Sequence, residues 1–281
     1  MSDPSWASHT DFVRFPYIEL FAFSANAAYA RRVVDAGATG VVVDWERRGK
    51  RQRQVGADTQ VNGDTPAQLA AVRDATPGRV LCRVNGWSDL APAEIDLAVS
   101  LGADEVLLPM VRRPEEVDAA LEVVAGRCGL GILIETTDAV RRAEELVSRP
   151  VSRVYVGMND LMIDRGRVCL FEALVDGTVD HLGAVASGAG LPFGVAGLTV
   201  PEGGHPIPCR LLAGGLADAG ASFTFLRRSF HADTAGRDLR VEVPRIRAAA
   251  RAARRRPPEQ VAADRVELEG MVALLTGDRV G

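Results

Sequence analysis

Eight times along this 281-residue chain a short apolar run gives way to an amphipathic helical stretch, and no other feature restricts the fold as much. The runs are YIELFAFSA (17–25), GVVVDWE (40–46), RVLCRVNG (79–86), EVLLPMV (105–111), GLGILIET (129–136), VSRVYVGMND (151–160), PFGVAGLT (192–199) and SFTFLRRSF (222–230). Several are continuously apolar rather than alternating, the pattern of parallel strands buried on both faces. The stretches between them carry helix punctuation. Thr65-Pro66 reads as an N-cap followed by proline at the first helical position. RPEEVDAALEVVAG has acids in its first turn and glycine at its end, as the helix dipole and the C-cap favour. Further helices are expected over NAAYARRVVDAG, from about Ala91 to Leu101, over DAVRRAEELVSR, from about Leu170 to Ala186, over PCRLLAGGLADAG and over PRIRAAARAARR.

Eight strand–helix units predict an α/β fold, a (β/α)8 TIM barrel. An open doubly wound sheet would more often show a glycine-rich phosphate fingerprint after its first strand, and FAFSANAA has none. After Pro257-Pro258, EQVAADRVELEGMVALL predicts one extra C-terminal helix, packed on the barrel or on a neighbouring subunit. The expected division is an N-terminal extension over 1–16, the barrel over 17–256 and a C-terminal helical extension over 257–281.

The net charge of -4 argues against a nucleic-acid binder. No apolar run approaches the roughly 20 residues of a membrane span. The first sixteen residues are polar and proline-broken, without the apolar core of a signal peptide, so a cytoplasmic protein is expected. Cys82, Cys128, Cys169 and Cys209 are scattered, with no CxxC pair to suggest a zinc site or a disulfide framework. Lys50 is the only lysine, so chemistry that needs a lysine has one candidate.

In such a barrel the site lies at the C-terminal ends of the strands. The polar residues there are few: Asp44 and Glu46 on the second strand, Arg83 and Asn85 on the third, Glu135 on the fifth, Gly157–Asp160 on the sixth, and Arg227 and Arg228 on the eighth. Glu135 and Asp160 fall on adjacent strands. Two carboxylates brought together raise each other's pKa, and a hard divalent cation with oxygen ligands relieves the repulsion. Mg²⁺ or Mn²⁺ suits that pattern; a structural salt bridge to an arginine is the other reading. Arg83 is a planar fork for a substrate carboxylate or a partner for Asp44 or Glu46. The turn Gly157-Met158-Asn159-Asp160 offers backbone N–H groups to an oxyanion. The basic run Arg47, Arg48, Lys50, Arg51, Arg53 is a solvated face or a lure for a polyanion. Arg227 and Arg228 end the eighth strand, where barrels often bind phosphate.

CRVNG (82–86), GADEVLLPMVRRPEEV (102–117), ILIETTDAV (132–140) and VGMNDL (156–161) resemble the HpcH/HpaI aldolase and citrate-lyase β-subunit family of the phosphoenolpyruvate/pyruvate-binding barrels, over roughly residues 17–230. The resemblance implies Glu135 and Asp160 as ligands of Mg²⁺ or Mn²⁺. It implies Arg83 on the substrate carboxylate and the developing enolate oxygen, and the Gly157–Asp160 backbone under a pyruvate-type carboxylate. The implied activity is a metal-dependent carbon–carbon lyase or aldolase acting on a 2-oxo acid through a metal-bound enolate, with an aldehyde or acyl-CoA co-substrate, in a homo-oligomer. The alternatives are a Claisen-type acyl-CoA lyase or synthase and a non-catalytic ligand-binding subunit. A Schiff-base mechanism needs a lysine on a strand, and Lys50 lies in a loop. HpaI-type aldolases carry a histidine base after the second-strand acid pair, where this chain has Arg47, and its acidic partner is replaced by Ser100. Asp44-Trp45-Glu46 resembles the citrate-lyase branch. Glu46, His205 and His231 are the remaining candidate bases.

Overall fold

The computed structural model describes residues 18–47 and 63–277. Arg48, Lys50, Arg51 and Arg53 therefore lie outside the described residues. Eight parallel strands close into a barrel in sequence order: β1 (Glu19–Phe23), β2 (Gly40–Asp44), β3 (Arg79–Arg83), β4 (Glu105–Leu108), β5 (Gly129–Ile134), β6 (Arg153–Val156), β7 (Phe193–Leu198) and β8 (Phe223–Leu226). β1 pairs with β8 at Phe21 and Phe225, which closes the ring. Alternate residues of a strand point to one face. Each column of inward residues thus runs from floor to mouth: Glu19, Phe21, Phe23 on β1; Arg79, Leu81, Arg83 on β3; Leu133 and then Glu135 past β5; Arg153, Tyr155, Gly157 on and past β6. Phe21, Val42, Leu81, Leu107, Leu133, Phe223 and Phe225 form an apolar cluster separate from the one between strands and helices, and they fill the barrel's middle.

The helices start where the sequence punctuates them. Thr65 caps Pro66–Ala75 in a capping box with Gln68. Asn26 caps Ala27–Asp35 by accepting from Tyr29 N. Pro114 opens Pro114–Val124, with Glu116 reaching back to Arg112 N and Arg113 N. The helix expected over 170–186 is two pieces instead, a 3-10 turn at Leu170–Leu174 and an α-helix at Thr178–Gly188. Gly177 between them has φ of 84°, which a continuous helix does not allow. The helix expected over DAVRRAEELVSR is likewise split, into Thr137–Arg141 and Ala143–Val147.

Strand eight is shorter than its apolar run: Arg227 and Arg228 lie just past it, and Ser229–Asp233 is a short helix. The last barrel helix begins earlier than expected, spanning Leu239–Ala253 with Pro244 inside its first two turns. The extra helix, Pro258–Thr276, packs on the barrel helix Cys209–Asp218. It buries Leu268 and Val272, and its Asp264 takes Arg256 at 2.5 Å and Arg210 at 3.1 Å. Among the described residues no helix is long and apolar enough to cross a membrane.

Candidate active site

The mouth is built on β2 and β3. Asp44 and Arg83 are register partners, and the Arg83 guanidinium donates from Nε to Asp44 Oδ1 at 2.9 Å and from Nη2 to Oδ2 at 2.7 Å. Its Nη1 faces Glu46 Oε2 at 3.3 Å. The Phe23 ring lies 5.1 Å from the guanidinium carbon. Burial opposes the charge on Arg83, but Asp44 and Glu46 outweigh it and raise the pKa, so the group stays a cation. The ion-pair reading of Arg83 is therefore realised, and with both acids at once.

Asn85 holds the turn after β2. Its Oδ1 accepts from Arg47 N at 2.9 Å, and its Nδ2 donates to Trp45 O at 3.2 Å and Glu94 Oε2 at 2.8 Å. Arg47, expected within a charge run, is a clamp: its Nη2 donates to Gly63 O and Asp64 O. The Asp64 carboxylate in turn accepts from Asp44 N at 2.8 Å.

Glu135 follows β5 and is buried to 2% exposure. Two features fix it. Met110 N donates to its Oε2 at 3.0 Å, and Met110 reaches that position with φ of 56°, a left-handed conformation that costs a side-chain-bearing residue strain. On the other side the carboxylate lies flat on Gly157, where a Cβ would sit 2.2 Å from Oε1 and 2.7 Å from Cδ. Only glycine leaves that space. Gly157 also caps the helix Met158–Asp164, which carries Asp160 in its first turn at 6% exposure. The turn expected at Gly157–Asp160 is thus a helix start. The Gly157 N–H is already spent on Ile134 O at 3.2 Å, which removes it as an oxyanion donor and leaves Met158 and Asn159 to open the helix.

Burial pushes the Glu135 carboxyl up to about 8, with Glu46 and then Asp160 adding to the rise, against Arg83 and the Met110 N–H. Four acids, Asp44, Glu46, Glu135 and Asp160, gather near Arg83 among the described residues. Hard carboxylate oxygens at a glycine-lined cradle fit a divalent cation. Among the described residues no group of three or more His, Cys, Asp or Glu is arranged to hold a metal. Glu135 and Asp160 would supply two oxygens, with water or substrate completing the shell, as Mg²⁺ prefers.

Other candidates sit to one side. Arg227 donates from Nη2 to His205 O at 3.0 Å, and its stem lies over Gly197, where a Cβ would meet Cγ at 2.8 Å. Its Nη1 is buried with no hydrogen-bond partner, and burial lowers its pKa. Arg228 is exposed. His205 is exposed, and its contact with Arg227 is through the main-chain carbonyl rather than the ring. His231 places Nε2 3.3 Å from Phe23 O, with its ring 4.4 Å from that of Tyr29. No contact of either imidazole with the acids of the mouth is present among the described residues.

Two residues of the site carried no sequence signal. Met110 is one, because methionine does not announce a left-handed backbone. The other is Tyr155, which donates to the Ala196 carbonyl at the β7 bulge and whose hydroxyl burial and Glu135 both keep protonated.

Three solved structures share the architecture. An HpcH/HpaI aldolase/citrate lyase family protein from Burkholderia cenocepacia is 15% identical, with a TM-score of 0.61, covering 88% of this chain and 99% of its own. The HpcH/HpaI aldolase from Desulfitobacterium hafniense is 15% identical, with a TM-score of 0.58, covering 79% and 90%. Citrate synthase SbnG is 15% identical, with a TM-score of 0.59, covering 81% and 94%. At these identities the likeness concerns the fold. No curated protein sequence matches the chain. The HpcH/HpaI aldolase/citrate lyase family model matches residues 17–168, more than half of the chain, and this protein belongs to that family of lyase- and aldolase-type enzymes.

Proposed function

We propose that this protein is a divalent-metal-dependent carbon–carbon lyase or aldolase acting on a 2-oxo acid of the pyruvate type. The observation that carries the proposal is the setting of Glu135: buried flat against Gly157, held by the Met110 N–H, and crowded by Glu46 and Asp160, with its carboxyl pushed up to about 8. Mg²⁺ or Mn²⁺ at Glu135 and Asp160 supplies Lewis-acid polarisation of the 2-oxo group. Arg83, held rigid by Asp44, faces the substrate carboxylate and the oxygen on which negative charge develops. The amides of Met158 and Asn159 open toward the same carboxylate. Glu46, buried and 3.3 Å from Arg83, takes the proton from the carbon next to the 2-oxo group in this reading. His205 is a weaker candidate for that role, because its contact here is through its carbonyl.

The co-substrate, an aldehyde or an acyl thioester, carries an anionic group in this reading. Its support is Arg227, whose buried Nη1 has no acceptor and which has no carboxylate at ion-pair distance among the described residues. The protein incubated with Mn²⁺ and pyruvate in D₂O is expected to exchange the methyl protons. Exchange should vanish in Glu135→Gln while the fold, read by circular dichroism, is kept. No exchange in the wild-type protein with metal present would sink the proposal.

A further inference from the structure

Glu135 and Asp160 sit on separate pieces of backbone, and two fastenings tie those pieces together. Glu135 follows β5, and Asp160 lies in the helix Met158–Asp164 after β6. At the start of that helix, Gly157 N donates at 3.2 Å to Ile134 O, the carbonyl just before Glu135. At its end, Asp164 Oδ2 accepts at 2.8 Å from Thr137 N, two residues after Glu135. Asp164 stands one turn beyond Asp160, so both carboxylates lie on one face of the helix. The helix is thus pinned at both ends to the backbone on either side of Glu135, with Asp160 between the pins.

The fastening at Asp164 is itself braced. Asp164 Oδ1 accepts from Arg112 Nη2 at 3.2 Å, and Arg112 Nη1 lies 3.6 Å from Asp138 Oδ2. Thr136, fully buried, donates to Val111 O at 2.8 Å and accepts from Ala139 N at 3.1 Å. The loops after β4 and β5 and the helix after β6 therefore meet around Thr136 and Asp164. Burial opposes the charge on Asp164, but the Thr137 N–H and Arg112 outweigh it and hold the carboxyl below its ordinary range. It stays an acceptor.

We infer that Asp164 is a positioning residue that sets the separation of Glu135 and Asp160, and through it the size of the cation the mouth accepts. The inference rests on the metal reading of those two acids. Mg²⁺ demands near-ideal octahedral geometry at about 2.0–2.1 Å, whereas Ca²⁺ accepts irregular shells at about 2.3–2.6 Å. A fixed pair of carboxylates favours the small ion, and a loosened pair gives up that preference. The test is titration of the full chain with Mn²⁺, followed by displacement with Mg²⁺ and with Ca²⁺. Asp164→Ala should weaken Mn²⁺ about tenfold and cut the preference for Mg²⁺ over Ca²⁺ at least fivefold. Asp164→Asn keeps an oxygen for Thr137 N, and its preference should stay within twofold of the wild type. Thr137→Pro deletes the N–H without touching an acid. Proline suits this first helical position, and Thr136, at φ of -134° and ψ of 151°, already has the backbone that a residue before proline takes. Thr137→Pro should reproduce the Asp164→Ala loss, and the double variant should lose no more than either, with the fold checked by circular dichroism. Wild-type preference in both Asp164→Ala and Thr137→Pro overturns the inference. So does an Asp164→Asn that matches Asp164→Ala, which would make charge rather than position the cause. A wild-type chain that binds no Mn²⁺ removes the metal reading and this inference with it. Mn²⁺ bound by the wild type and lost in Glu135→Gln, with the preference unmoved in the other variants, removes this inference alone.

Discussion

The two ends of the barrel are filled with charge in opposite ways. At the floor, Glu19 and Glu105 meet Arg79 and Arg153: Arg153 lies 2.8 Å from Glu105 and 3.2 Å from Glu19, and Arg79 is 3.0 Å from Glu105. Ser152 donates to Glu105 as well, and Arg153 is sandwiched between Phe21 and Phe223 at 5.0 and 4.6 Å. Burial alone would push the Glu105 carboxyl up, but Arg153 and Arg79 overcome it and hold the group below the ordinary range. Two acids against two arginines close the floor with no charge left over. At the mouth Asp44, Glu46, Glu135 and Asp160 gather near Arg83 among the described residues, and burial, with Glu46 and Asp160, raises the Glu135 pKa. Equally buried carboxylates on neighbouring strands thus report different jobs. One is held charged by the arginines beside it, and the other is pushed toward its neutral form.

The sharpest way to break this contrast is to remove one partner from each end. Arg153→Met leaves Glu105 buried beside a single arginine and should cost about 3–5 kcal/mol in urea unfolding. Glu135→Gln relieves repulsion, so the metal-free protein should be as stable as the wild type or more so. Equal losses at the two ends would erase the distinction. Next in size is the metal itself. Glu135→Gln should abolish measurable Mn²⁺ binding. Gly157→Ala, at a position whose φ of -84° alanine accepts, should weaken Mn²⁺ on the order of 10–100-fold by displacing the carboxylate. Wild-type affinity in Gly157→Ala, measured by titration, would mean the cradle does not position Glu135.

The pH dependence should run in opposite senses. Glu135 has a folded pKa raised above its unfolded value, so its contribution to metal-free stability is full below about 4.5 and is lost as pH rises toward about 8. Glu105 has a lowered folded pKa, so its contribution is present above about 4.5 and is lost as pH falls through the folded value. Urea midpoints measured across pH in the wild type and Glu135→Gln should diverge above pH 4.5, the variant losing less. Mn²⁺ affinity should climb with pH and level off near 8, because the ion displaces a proton. The smallest expected effect is at Arg83. Asp44→Asn weakens its bidentate brace and should slow methyl-proton exchange roughly tenfold, about 1.4 kcal/mol, without loss of Mn²⁺ binding.

The barrel and its charged mouth are legible in the sequence because both follow from a period of two. Once a run such as RVLCRVNG is a strand, Arg79, Leu81 and Arg83 must share a face, and strand-end acids must look at each other. Neighbouring strands fix Glu135 beside Asp160. What the pattern does not carry is anything set by contacts distant in sequence. Arg47 reads as part of a charge run, yet Gly63, Asp64 and Asn85 make it a loop clamp. The apolar periodicity from Leu170 to Ala186 is real, but Gly177 turns left-handed within it. Arg228 through Phe230 look like strand by composition and are drawn into a short helix at the barrel rim. Glycine at 157 is visible as a residue; that it makes room for the carboxylate at the end of the neighbouring strand is visible only in three dimensions.

The floor network also bears on the order of folding. Glu19 and Arg153 are 134 residues apart, and the bond between them joins β1 to β6 across the barrel interior. Contacts of such sequence separation repay their loop-closure entropy late. Closure is therefore the step at which the charges are buried and matched together, and chains that close with the wrong strand neighbours leave an arginine unpaired in the core. Arg153→Met should therefore show its effect in a faster unfolding rate more than in a slower early phase of folding.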